Sequence, residues 1–290
     1  MQYSDWKKEL QQTEKDPRVL LGKVDLQHLA AQLADRSQQS FPMRAPRSFT
    51  ARIKRADPDD VLLRQILPVS EEDTSTGGFE TDPLSESEYQ PVPGILHKYH
   101  GRALLVVTGA CAIHCRYCFR RHFPYADANP SPNQWNSAVE YLNSREELRE
   151  IILSGGDPLT LTNDRLGRLF RKLADIRHLQ RLRIHSRIPV VLPDRIDTGF
   201  LEILHSTRFE PVLVVHANHA REIDTNAIHA INKIRQTGVT VFNQAVLLRG
   251  INDSIPALKD LSNTLFDAGI IPYYLHMLDP VQGAAHFEVE

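Results

Sequence analysis

The chain has 290 residues, with 34 Lys and Arg against 36 Asp and Glu and a formal net charge of -2. So balanced a charge leaves no electrostatic footprint for nucleic acid or an anionic membrane. No run approaches the roughly 18 apolar residues of a membrane span, and the charged start MQYSDWKKELQQTEKDP has no secretory apolar core. The expectation is a cytoplasmic, reducing setting.

Residues 1–95 read as a helical extension and linker. Ser4 and Asp5 are candidate caps for a first helix, and VDLQHLAAQLAD (24–35) carries apolar residues at helical spacing. PDDVLLRQILP (58–68) runs between prolines. SEEDTSTGGFETDPLSESEYQPVPG (70–94) is acidic and rich in Gly, Ser, Thr and Pro, which reads as a solvated loop or linker. His97, Lys98, His100 and Arg102 then form a basic run suited either to a phosphate or to a charged approach to a sheet.

Residues 96–290 change character. Short apolar runs recur at ALLVV (103–107), EIILS (150–154), RLRIHS (181–186), PVLVVH (211–216), VTVFNQ (239–244) and IPYYLH (271–276). Helical stretches separate most of them, at 165–176, 195–206, 225–238 and 256–269, the last two ending in Gly. Repeated β-then-α units imply parallel strands with right-handed crossovers. Six are too few for a closed eight-stranded barrel, so the expected fold is α/β. It is either a partial (β/α)6 TIM-type barrel or an open doubly wound sheet.

The three cysteines, Cys111, Cys115 and Cys118, follow the first of these runs in CAIHCRYC. An odd count in one window argues against disulfides. Three thiolates can hold a cubane iron–sulfur cluster and leave one iron open to a small molecule. The rival is a Cys3His zinc site completed by His122. Polar residues decide between them. Ser154-Gly155-Gly156-Asp157, His185-Ser186-Arg187, His216 with Asn218, Asn243-Gln244 and His276 with Asp279 all fall at strand carboxyl ends, where parallel α/β folds bind ligands. A zinc staple needs no such convergence, and the balance moves to iron–sulfur.

Each motif has a plainer reading. SGGDP could be a strand-to-helix turn with an Asp cap, its glycines admitting close backbone approach. Asn-Gln could satisfy backbone groups, and Arg187 could be a surface ion pair. Arg120 and Arg121 suit a carboxylate ligand or a solvated basic patch. Asp279 could take an ammonium or open the turn before Pro280.

With CAIHCRYC, SGGDP, SR and NQ together, the sequence resembles the radical S-adenosylmethionine (SAM) enzymes. HKYHGRALLVVTGACAIHCRYCFRRHFPY, RIHSRIPVVLPDRI, VTVFNQAVLLRGIND and IPYYLHMLDPVQGAAHF narrow the resemblance to the lysine 2,3-aminomutase family. Within it, the similarity is to the short bacterial branch that makes β-lysine for elongation factor P. The resemblance implies a 4Fe–4S cluster on Cys111, Cys115 and Cys118, with S-adenosylmethionine on the open iron. Tyr117 would lie against the adenine and Ser154–Asp157 near the methionyl amine. Ser186, Arg187, His216, Asn218 and Gln244 would surround the cofactor. Pyridoxal 5'-phosphate is implied as well, with Lys98 and Arg102 counted among the cofactor-binding residues. Arg120 would take the carboxylate of L-lysine and Asp279 its ε-ammonium.

The implied partners are an electron donor such as a flavodoxin or ferredoxin, and elongation factor P with its lysyl-transferring enzyme. The family's Schiff-base lysine lies in a Gly/Ser-Lys-Thr-Pro segment after the sixth strand. These 290 residues contain none, so an incomplete chain is expected. Two alternatives stand beside this reading: a zinc-stabilised α/β binding protein without catalysis, and a radical aminomutase acting on another amino acid.

Overall fold

Seven strands form where the apolar runs predict six. They are β1 (Ile95–Tyr99), β2 (Arg102–Thr108), β3 (Glu150–Gly155), β4 (Arg181–Ser186), β5 (Glu210–His216), β6 (Thr240–Val246) and β7 (Ile271–His276). The computed structural model describes residues 6–128 and 135–290, so the Ser4–Asp5 cap lies outside the described residues. Strands β2 to β7 pair in parallel, each beside its sequence neighbour. A doubly wound sheet reverses its strand order at a switch point. This sheet never does, which makes it the partial barrel, with β1 and β7 as its two edges.

The extra strand is the basic run. Residues 95–99 turn back through Gly101, at φ 82°, and pair antiparallel with β2 through Ile95–Leu105 and Leu96–Leu104. The alternating run ILHKY before His-Gly carried that hairpin signal, masked by its charge.

A helix, Trp135–Asn143, lies between β2 and β3, and the four predicted crossover helices follow their strands, at Asn163–Ala174, Thr198–Ser206, Thr225–Arg235 and Ile255–Asp267. Thr162, Asp197, Asp224 and Ser254 cap them by accepting the backbone N–H three residues on. On β7, Ile271, Tyr273 and Leu275 remain about half exposed, at 48%, 48% and 53%.

The N-terminal segment shares the barrel's core: Trp6, Phe49 and Leu62 pack in one cluster with Leu105, Leu153 and Leu182. Trp6 Nε1 donates to Asp197 at 3.1 Å, Ser48 Oγ to the Val191 carbonyl at 2.6 Å, and Arg52 to the Glu222 carbonyl at 2.7 Å. The helix expected within 24–35 is only a 3-10 helix, Gln27–Gln32, entered through Asp25 at positive φ. Residues 61–66 are turns, because the buried Asp60 carboxylate takes the Leu62 and Leu63 N–H groups.

The acidic segment 70–94 is not a solvated linker. Glu72 is buried, and two 3-10 turns, Ser70–Asp73 and Glu86–Tyr89, hold its ends. Glu80 bonds to the residues after β7, donating to the Pro280 carbonyl at 2.9 Å and accepting from Gln282 N at 2.9 Å. From there the chain runs to β1, so the segment straps the open seam of the barrel at its carboxyl end.

Candidate active site

A cavity of about 700 Å³ opens at the carboxyl ends of the strands. Cys111, Cys115, Cys118, Tyr117 and Arg120 reach it from the loop after β2, and Ser154, Gly155, Gly156 and Asp157 from β3. Ser186, Arg187, His216, Gln244 and Asp279 line it from the later strands, with Lys98 and Arg102 from the β1–β2 hairpin. Asn218 does not. It is fully buried behind the wall, its Nδ2 donating to Gln65 Oε1 at 3.1 Å and its Oδ1 accepting from Val246 N at 2.8 Å. Its expected place at the cofactor is therefore corrected to the frame of the site. Asn243 likewise spends its amide on both backbone groups of Ala217.

The two glycines of SGGDP serve close approach, but to the cysteine loop. A Cβ on Gly156 would stand 2.4 Å from the Ala110 carbonyl oxygen, and one on Gly155 would stand 2.7 Å from that of Thr108. Without side chains, the backbone donates from Gly156 N to Thr108 at 2.7 Å and from Asp157 N to Ala110 at 2.8 Å. The Asp157 carboxylate is filled as well. It accepts from Leu159 N and Ser186 Oγ on one oxygen and from Arg187 N and Ile188 N on the other. The capping reading of Asp157 holds, and a free acceptor for a ligand is not left over.

The three thiols are half-buried and line the cavity together. Burial, then the neighbouring sulfurs, pushes Cys111 well above the usual thiol range and Cys118 up to about 11. Three such cysteines on one loop are a donor set that can hold an iron–sulfur cluster and leave one iron open. Arg187 Nη1 donates to Cys115 Sγ at 2.7 Å. Zinc fits poorly. Among the described residues, no three His, Cys, Asp or Glu side chains converge on one ion. His122, the fourth ligand that site requires, bonds instead to the Gln282 carbonyl at 3.0 Å.

Behind the cysteines lies a sealed network that sequence reading missed. Gln65 Oε1 accepts from Arg187 Nη2 at 2.6 Å, Tyr117 Oη at 3.2 Å and Asn218 Nδ2 at 3.1 Å. Glu222 pairs with Arg187 at 2.7 Å, and despite burial its carboxyl is held below the usual range by that guanidinium. Tyr117 stacks on His216 with ring centroids 5.6 Å apart. Burial keeps both His216 and His185 neutral, pushed down to about 3. The one sequence signal was a glutamine inside the apolar run VLLRQILP; nothing marked Glu222.

The arginines are partnered too. Arg121 pairs with Glu72 at 2.7 Å, as does Arg116 at 2.5 Å. Arg120 Nε and Nη2 donate to the two oxygens of Glu86, and Nη1 to Ser154 Oγ. Asp279 is half-buried, and burial raises its carboxyl above the usual range, with His276 opposing, Glu86 adding and Arg120 opposing.

This cavity, with cysteines on the first parallel loop, is that of a radical SAM enzyme, and the radical SAM superfamily pattern matches residues 105–261. The chain is 49% identical over 286 residues to the L-lysine 2,3-aminomutase of Escherichia coli (strain K12), covering 98% of this chain and 83% of that one. It is 45% identical to that of Haemophilus influenzae over 98% and 84% of the two chains. Among solved structures, a radical SAM methyltransferase from Sphaerobacter thermophilus aligns over 63% of this chain and 57% of its own, at a TM-score of 0.41 and 18% identity. The protein belongs to the lysine 2,3-aminomutase family, a group of isomerases. With that family come the 4Fe–4S cluster and S-adenosylmethionine.

Proposed function

We propose that the protein converts L-lysine to β-lysine, with Cys111, Cys115 and Cys118 as cluster ligands and pyridoxal 5'-phosphate as a further cofactor. The observation that carries this reading is the meeting of the three cysteines, Arg120 and Asp279 around one cavity. When bound, the cluster and S-adenosylmethionine supply radical chemistry, and pyridoxal phosphate activates the migrating amino group.

The chain's own residues bind and orient. Arg120 receives the α-carboxylate and Asp279 the ε-ammonium, which stretches lysine across the cavity. Asp279 also disfavours glutamate, whose side-chain carboxylate would be repelled there. Lys98 and Arg102, beside Tyr89 and Tyr99, supply cations for a phosphate. Tyr117, Ser186, Arg187, His216 and Gln244 form the wall nearest the cysteines and exclude water from reactive species.

A flavodoxin-like or ferredoxin-like donor would supply the electron, in the cytoplasm. Elongation factor P and its lysyl-transferring enzyme would use the product; this last link rests on the sequence resemblance. The test is anaerobic reconstitution of the full-length protein with iron and sulfide, then incubation with L-lysine, S-adenosylmethionine, pyridoxal phosphate and a reductant. β-Lysine should accumulate. Cleavage of S-adenosylmethionine with lysine left unchanged would defeat the substrate assignment.

A further inference from the structure

We infer that Glu86 is the positioning residue of the substrate-carboxylate site, holding Arg120 so that its guanidinium meets the α-carboxylate in one orientation. The inference rests on the reading above, in which Arg120 receives that carboxylate.

Arg120 Nε donates to Glu86 Oε2 at 2.8 Å and Nη2 to Oε1 at 2.6 Å, a bidentate grip on one edge of the guanidinium. Nη1 donates to Ser154 Oγ at 3.0 Å. A guanidinium has five N–H donors, so one remains on each terminal nitrogen. That remainder suits a second carboxylate. The pair is nearly sealed, its side chains 7% and 13% exposed, so little water weakens it.

Glu86 is itself held. Asp82 Oδ1 accepts from Glu86 N at 2.9 Å, while Asp82 Oδ2 accepts from Ser87 N and Ser87 Oγ at 3.2 and 3.0 Å. The same strap is tied at Glu80 to Pro280 and Gln282, just after Asp279. One segment thus anchors the groups proposed for both ends of lysine. A competing arrangement would make Glu86 a plug that occupies Arg120 until substrate displaces it. The two differ in sign.

The experiment measures dissociation constants of lysine and of 1,5-diaminopentane, which lacks the carboxylate, on the reconstituted protein. Iron content and the effect of S-adenosylmethionine on the cluster's paramagnetic spectrum are read alongside. Glu86→Ala should weaken lysine about tenfold to a hundredfold and leave the diamine, the iron and the spectrum unchanged. Glu86→Asp, which keeps a bidentate carboxylate, should recover part of the loss. In an Arg120→Ala background, Glu86→Ala should add no further loss. Tighter or unchanged lysine binding in Glu86→Ala would overturn the inference, as would equal losses for lysine and the diamine. If Arg120→Ala itself leaves lysine binding intact, the assignment of Arg120 to the substrate falls first, and that result is separable from a failure at Glu86 alone.

Discussion

Glu72 and Glu86 leave the same acidic segment and both grip arginines that follow cysteines, yet they stand in different surroundings. Glu72 is sealed between Arg116 and Arg121, with its side chain and that of Arg116 wholly inaccessible. Arg116 Nη1 also donates to the Phe41 carbonyl, and Arg121 Nη1 to those of Arg116 and Gly283. Glu86 meets one arginine on the cavity wall, and that arginine keeps donors to spare. The contrast separates framework from site. A charge network buried away from the cavity fixes the backbone, whereas an arginine that lines the cavity with donors left over faces a ligand.

Both networks hold the cysteine loop, and the largest expected effect comes from emptying that loop. Cys115→Ala should abolish the four-iron cluster, measured as iron content and visible absorbance after anaerobic reconstitution. The chain has only three cysteines and no spare to replace it. An intact cluster in the variant would remove the cysteine loop from the site.

Glu72→Ala sharpens the contrast from the framework side. It strands two buried guanidinia, and breaking a buried pair by removing one partner costs about 3–5 kcal/mol. Denaturant unfolding should register that loss, without any selective effect on lysine. A variant of full stability that binds lysine poorly would move Glu72 from frame to site.

Much of this was legible in the sequence, and the failures share a cause. CAIHCRYC, SGGDP and the strand ends declared themselves because their residues lie close together in the chain and recur on one edge of the sheet. Glu72, Glu86, Gln65 and Glu222 find their side-chain partners across 34 to 157 positions. Composition reads such residues as solvated, because a burying partner leaves no local trace. Local propensity also missed β1, whose charged residues concealed a strand ending in a glycine turn. Asp157 shows the converse error: a residue in the right motif whose carboxylate is spent on backbone N–H groups.

Asp279 tests the site from its other end. Asp279→Asn keeps the shape and removes the charge, leaving a buried ammonium unpaired, so lysine should weaken by roughly 2–5 kcal/mol. Norleucine, without the ammonium, should change little. Because burial raises this carboxyl, it takes a proton earlier as pH falls. Lysine affinity in the parent protein should therefore decline at a pH above the ordinary aspartate range, and the Asn variant should lack that limb. Equal losses for lysine and norleucine would reduce Asp279 to shaping its loop.

The smallest effect returns to the framework. His286 packs beside the sealed network, near Glu72, Glu71, Arg121 and Arg116, with its Nδ1 buried and unpartnered. Burial pushes its pKa down from 6.5 to about 4; Glu72 and Glu71 oppose the shift and the two arginines add to it. The imidazole is thus neutral in the folded protein over a range where the unfolded chain binds a proton. Its contribution is fully present above pH 6.5, falls as pH drops from 6.5 toward 4, and levels off below. By pH 5 the loss from this one group is about 2 kcal/mol. His286→Gln cannot titrate, so the stability difference between parent and variant should be flat above pH 6.5 and narrow by that amount at pH 5. Parallel curves across the range would mean that the imidazole titrates in the folded protein as it does in the unfolded chain. The surroundings of Glu72 would then be solvated rather than sealed, and the distinction between the two glutamates would lose its physical basis.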